Sequence, residues 1–222
     1  MPIAVDRSRC PRCDHPLAAV DLIPVISWII ARGRCRYCGA AVSVRYPLIE
    51  VLTAALFVGA WAVGGDDDLT AALLALTALG LIIIAIADFE ARIIPDKVLL
   101  ALLPVAIAWR WHGGGDWIDG IAGSALGSAV LYGLRAGFKA FRGQDALGLG
   151  DVKFLVIAGF YVGATGLAPL FLIGGLVGIA IGLGWRLTGR GAAFPFGPAL
   201  CLALAAMLVA PGWFDALFPV AP

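Results

Sequence analysis

Charge is scarce in this chain. Only 14% of its 222 residues are Asp, Glu, Lys or Arg, against about a quarter in ordinary globular domains. Histidine and methionine occur twice each. The 61% hydrophobic share and the mean hydropathy of +0.95 exceed what a soluble core absorbs. A disordered chain, a collagen-like chain and an ordinary soluble enzyme are excluded on those grounds. An outer-membrane barrel would show short alternating segments, and here the apolar runs are long. Residues 1–45 contain no apolar stretch of signal-peptide type. The net charge of +1 gives no sign of a nucleic-acid partner, and none is expected. Five cysteines are too few for a disulfide scaffold. What remains is an all-α polytopic membrane protein, with the lipid bilayer as its solvent.

A helix needs roughly 20 apolar residues to cross a bilayer. The runs predict about seven transmembrane helices, near 47–64, 69–88, 97–111, 117–135, 151–165, 166–186 and 196–212. Pro104 interrupts the third. The division expected is a cytoplasmic module over 1–45 and a membrane domain over 46–222. Basic residues favour the cytoplasmic side. The N-terminal segment holds Arg7, Arg9, Arg12, Arg32, Arg34, Arg36 and Arg45. The joints at 88–97, 135–153 and 186–195 hold further basic residues. Placing these four segments inside puts fifteen of the sixteen Lys and Arg residues in the cytoplasm.

Cys10-Pro-Arg-Cys13 and Cys35-Arg-Tyr-Cys38 are two C-x-x-C knuckles. At this separation they form a tetrahedral four-cysteine zinc signature, closed and therefore structural. Gly33 and Gly39 flank the second knuckle, where turn backbones need freedom. A redox dithiol is the alternative. His15 reads as a surface histidine and Cys201 as a packing residue.

Acidic residues at membrane depth are functional candidates. Asp66, Asp67, Asp68, Asp116 and Asp119 fall at outer joints, where solvation accounts for them. Asp88 ends one apolar run, and Asp151 begins another directly after Gly148-Leu149-Gly150. Both fall at the cytoplasmic side, so they can meet, or else each is an interfacial cap. Two carboxylates sharing a site cannot both ionise cheaply, which provides one base and one acid. The helix macrodipole suggests Asp151, at a helix start, as the base and Asp88, at a helix end, as the acid. Gly148 and Gly150 allow a substrate strand to approach. Asp96, after Pro95, reads as a cap of the next helix and a support of the site, with Glu90 weaker in the same role. Lys153 acts on Asp151 or on substrate, or snorkels to the interface. A proton-coupled transporter using the two aspartates is a further alternative.

Several motifs now coincide in order. They are the two knuckles, Ile23-Pro24-Val25-Ile26-Ser27-Trp28, Arg45-Tyr46-Pro47-Leu48-Ile49-Glu50, Ile94-Pro95-Asp96, Gly148-Leu149-Gly150-Asp151-Val152-Lys153 and Pro195-Phe196-Gly197-Pro198. In this the chain resembles the type IV prepilin peptidase family, membrane aspartic peptidases of the G-x-G-D type. The resemblance implies an endopeptidase that removes the leader of type IV prepilins or type II secretion pseudopilins. Cleavage would occur at the cytoplasmic face of the bacterial inner membrane. Bifunctional members then N-methylate the new N-terminus with S-adenosylmethionine, the alternative being peptidase activity alone. It implies Asp88 and Asp151 as the catalytic pair and Cys10, Cys13, Cys35 and Cys38 as zinc ligands. It also implies Gly33 as part of the methylation region. Members usually carry a membrane span ahead of the first knuckle, whereas Cys10 is the tenth residue here. Such a helix would make eight spans.

Overall fold

The computed structural model describes residues 7–143, 147–189 and 194–210. Among these residues the regular structure is eight α-helices and one 3-10 turn, with no strand. The chain divides into two compact units, Met1–Val58 and Gly59–Pro222.

The first unit is built on its two knuckles. In each, the first cysteine N–H donates to the carbonyl five residues on, Cys10 to His15 at 3.0 Å and Cys35 to Ala40 at 2.7 Å. An isolated antiparallel bridge closes each turn, Arg9 with Pro16 and Arg34 with Ala41. The residue four after each leading cysteine is left-handed, Asp14 at φ 56° and Gly39 at φ 70°. Glycine is free there, and aspartate is among the side chains that tolerate it. Sequence reading anticipated the glycine but not Asp14. Helix α1, Ile26–Ile30, lies between the knuckles, and α2, Arg45–Gly64, follows the second. The unit extends past residue 45 because Glu50 of α2 accepts the Val25 N–H at 2.7 Å.

The second unit comprises α3 Asp68–Ala91, α4 Asp96–His112, α5 Trp117–Arg142, α6 Leu149–Val162, α7 Leu167–Leu187 and α8 Gly197–Val209. A helix therefore falls on each run read from the sequence. The α2, α3 and α7 helices are long and apolar enough to cross a membrane. The 14 residues of α6 and 13 of α8 span only about 20 Å, short of a ~30 Å hydrocarbon core. The expected seventh span ended at residue 212; residues 211 and 212, and Arg190 of the preceding joint, lie outside the described residues.

Two expectations are corrected here. Helix α4 runs unbroken through Pro104, as helices in apolar surroundings often do when neighbours satisfy the freed carbonyl. Helix α5 continues past residue 135 to Arg142 and stops at Gly143, whose φ is 68°. Lys139 and Arg142 thus lie in its last turn, where cations suit the macrodipole.

The α5 and α6 helices pack backbone to backbone. A Cβ on Gly123 would sit 2.3 Å from the Gly159 carbonyl oxygen, and the reverse contact is equally short. Helix α3 packs on α4 and α8, and α7 on α8. Ile84, Phe154, Leu155, Leu170, Leu200 and Leu204 fill the centre. At one end of this core Arg110 is buried. It donates to the Phe160 carbonyl at 2.9 Å and to the Asp116 carbonyl, and it pairs with Asp119 at 3.9 Å. Asp116 caps α5 through the Ile118 N–H, and Asp119 accepts from Ala164 at 2.9 Å. These two aspartates are joints of the fold, and solvation alone does not account for them.

Candidate active site

Asp88 and Asp151 are the two buried carboxylates among the described residues, each only 7% exposed. Asp88 lies in the final turn of α3. Its carbonyl accepts the N–H of Arg92, the left-handed residue that stops the helix. Asp151 lies in the first turn of α6. Gly148 is the N-cap, and its N–H donates to Asp151 Oδ2 at 3.2 Å. The G-x-G-D spacing therefore has a local cause. A carboxylate three residues after the cap reaches back to the cap's amide, one half of a capping box.

The helices bring both aspartates together, and Asp151 lies within the electrostatic field of Asp88. Gly150 faces Ile94, where a Cβ would come within 3.0 Å of the isoleucine Cβ. The Gly150 side of α6 thus closes on the Ile94-Pro95 loop that follows Asp88's helix.

A third element enters through the Pro195-Phe196-Gly197-Pro198 motif, whose role sequence reading left unassigned. The Gly197 N–H, at the start of α8, donates to Asp88 Oδ2 at 2.8 Å across 109 residues. A Cβ on Gly197 would lie 2.8 Å from the same oxygen. Both aspartates therefore meet the amide end of a helix. The macrodipole contrast read from the sequence does not separate base from acid, because α8 supplies to Asp88 what α6 supplies to Asp151. Cys201, one turn along α8, is buried within the field of both carboxylates.

The supporting residues fall as follows. Lys153 is exposed and grips both oxygens of Asp96, at 2.8 and 2.9 Å. It is thus committed to Asp96. Asp96 is the first residue of α4, and Pro95 stands at the cap without a side-chain bond. The expected capping by Asp96 is replaced by this ion pair, which ties the start of α4 to the start of α6. Glu90 is exposed in the last turn of α3.

In the first unit the sulfurs of Cys10, Cys13, Cys35 and Cys38 all lie within 4.8 Å of one another. Cys10 Sγ and Cys38 Sγ are 3.9 Å apart. The Arg12 and Cys13 backbone N–H groups hold the Cys10 thiol down to about 6, so it is a thiolate at neutral pH. Four convergent sulfurs at these separations fit one tetrahedral metal ion. His15 stands aside, stacked on Tyr37 with ring centroids 3.7 Å apart. Gly33 has φ 67°, and a Cβ there would meet the Trp28 ring at 2.9 Å. Trp28 also donates to the Val42 carbonyl at 3.0 Å. A cavity of about 1000 Å³ in this unit is lined by Trp28, Arg34, Tyr46 and Glu50 among others.

Comparison with known proteins gives the family. Residues 1–63 match the bacterial Peptidase A24 N-terminal domain, and residues 74–183 match the type IV leader peptidase family. A prepilin leader peptidase/N-methyltransferase of Aeromonas salmonicida strain A449 is 37% identical over 207 residues, covering 90% of this chain and 70% of the relative. Proteins of the same name from Burkholderia pseudomallei strain K96243 and Neisseria gonorrhoeae are 36% and 32% identical. They are matched over 93% and 90% of this chain and 68% and 73% of their own lengths. No solved structure matches. The chain belongs to the type IV leader peptidase family and is a peptidase.

Proposed function

We propose that this protein removes the leader peptide of prepilins or pseudopilins, with Asp88 and Asp151 as the catalytic pair. The observation that carries this reading is the pair itself, two buried carboxylates from different helices, each held by one glycine amide. Those amides engage Oδ2 of each residue, which leaves Oδ1 of each for a shared water. One carboxylate takes a proton from that water as its oxygen attacks the scissile carbonyl carbon. The other, protonated, gives its proton to the leaving amine as the C–N bond breaks. The pair shares one proton, and its titration belongs to both groups.

Seven membrane spans with the N-terminus in the cytoplasm agree with the distribution of basic residues. The active site then faces the cytoplasm at the bacterial inner membrane. A prepilin places an apolar helix in the bilayer and a basic leader beside the aspartates. The four-cysteine cluster holds zinc. For Zn–S bonds of about 2.3 Å a tetrahedron sets sulfurs about 3.8 Å apart, against 3.9 Å between Cys10 and Cys38. With four thiolates the ion is structural. S-adenosylmethionine, which supplies the methyl group in N-methylation, suits the first-unit cavity in volume. Trp28, Arg34 and Glu50 offer an aromatic face, a cation and a carboxylate there. Gly33 reaches the cavity through Trp28.

The test is cleavage of a prepilin in membranes holding wild type, Asp88→Ala or Asp151→Ala, with S-adenosylmethionine supplied. Product N-termini are read by mass spectrometry. Loss of cleavage in both variants, at unchanged expression and zinc content, is expected. Cleavage that persists in both removes the pair as catalysts. A methylated wild-type product assigns the second activity, and a bare one assigns peptidase activity alone.

A further inference from the structure

The stretch between the two knuckles is more apolar than a solvated module requires. Leu22, Ile23, Ile26, Ile29 and Ile30 are all exposed, Ile29 to 60% and Ile30 to 68%. They occupy α1 and the turn before it. Exposed apolar clusters of this kind mark an interaction surface. Two arginines, Arg32 and Arg34, follow the cluster directly.

A hydrogen bond ties the start of α1 to α2. Val25, its N-cap, has φ 62° and ψ −50°, a conformation that a β-branched residue rarely adopts. Its N–H is held by Glu50 at 2.7 Å. Glu50 stands five residues into α2, which begins at Arg45 and is apolar enough to cross a membrane. Five residues of helix rise about 7.5 Å. The polar interfacial layer on each side of a bilayer is about 5–8 Å deep. A bilayer crossed by α2 with Arg45 at its outer edge would therefore hold Val25 near the depth where α2 enters the hydrocarbon. Tyr46 is exposed in the first turn of α2, and tyrosine favours that layer.

We infer that α1 and its preceding turn lie in the headgroup layer of the same membrane that α2 crosses. The isoleucines dip into the acyl boundary, and Arg32 and Arg34 meet anionic lipid headgroups. A basic prepilin leader is a poor occupant, because the arginines repel it. The inference rests on α2 being a membrane span, as proposed above.

Full-length protein carrying the photoreactive residue p-benzoylphenylalanine at one site tests it. The sites are Ile30, Ile26 and, as the span control, Leu52, which is exposed on α2. The protein is reconstituted in vesicles of phosphatidylethanolamine with phosphatidylglycerol, or of phosphatidylcholine alone, and illuminated. Adducts are read by mass spectrometry. Lipid adducts from Leu52 in both lipids, and from Ile26 and Ile30 more strongly in the anionic vesicles, are expected. Arg32→Gln and Arg34→Gln should each lower the anionic preference roughly fivefold, the ratio set by the ~1 kcal/mol attraction of one basic residue. Lipid adducts from Leu52 with none from Ile26 or Ile30 overturn the inference and leave the span intact. Adducts joining Ile30 to residues 59–222, or to added prepilin, overturn it too. Absence of lipid adducts from Leu52 removes the span and the inference together.

Discussion

Asp88 and Asp151 differ from every other acidic residue described in being buried. Burying a carboxylate is unfavourable unless it is hydrogen-bonded, and each has one glycine amide. Under the proposed mechanism Asp88→Asn and Asp151→Asn should each lower kcat/KM for prepilin cleavage by at least about 10³-fold, with the fold intact by circular dichroism. Gly197 is the residue-level surprise. Gly197→Ala places a methyl 2.8 Å from Asp88 Oδ2, so the carboxylate or the α8 start must move. We expect kcat to fall sharply while substrate affinity changes little, measured in the same assay. Gly150→Ala would instead meet the Ile94 Cβ at 3.0 Å, so the loop carrying Ile94 must give by a few tenths of an ångström; its loss should be smaller than that of Gly197→Ala. The pair Lys153 and Asp96 is exposed, and surface ion pairs contribute about 0–1 kcal/mol. Its removal should therefore leave the thermal midpoint almost unchanged.

The helices meet in two distinct ways. Helices α5 and α6 touch through backbone at Gly123 and Gly159, where no side chain can yield. Gly123→Ala and Gly159→Ala should each cost about 1–3 kcal/mol, read as a lower unfolding midpoint in detergent. Gly133 and Gly137, on the same α5, face open space. Alanine there should be neutral or stabilise by about 0.5–1 kcal/mol, the ordinary helical gain. Near the start of α3, Asp67 accepts from Thr70 and contacts His112 at the end of α4. The Thr70 hydroxyl first, and His112 second, hold the Asp67 carboxyl down to about 2 from its usual 3.8. A depressed carboxylate stabilises the fold above its unfolded pKa. That contribution is lost as pH falls from about 4 through about 2. Midpoints measured across that acid range should drop less steeply for Asp67→Asn than for wild type.

At the scale of the whole molecule, two compact units predict two separable losses. Chelation, or Cys35→Ser, should release about one zinc per chain and abolish the unfolding transition of residues 1–58, leaving a transition for the helical unit. A single transition lost as a whole would mean that the units do not fold separately. The sequence alone determined the helices and the cysteine centre, because apolar run length and C-x-x-C spacing are local properties. It also singled out Asp88 and Asp151, since a lone carboxylate at the edge of an apolar run is conspicuous whatever surrounds it. Asp14 in the left-handed turn and the unbroken α4 at Pro104 were less legible, because each depends on what neighbouring backbone tolerates. Only tertiary structure decided that α8 brings the Gly197 amide to Asp88, that Lys153 holds Asp96, and that Arg110 is buried against Asp119. Each of these joins residues far apart in the chain or on different helices, and no periodicity records such a contact. The proposed active site belongs to that second kind, since the approach of its two carboxylates depends on helices that the sequence describes one at a time.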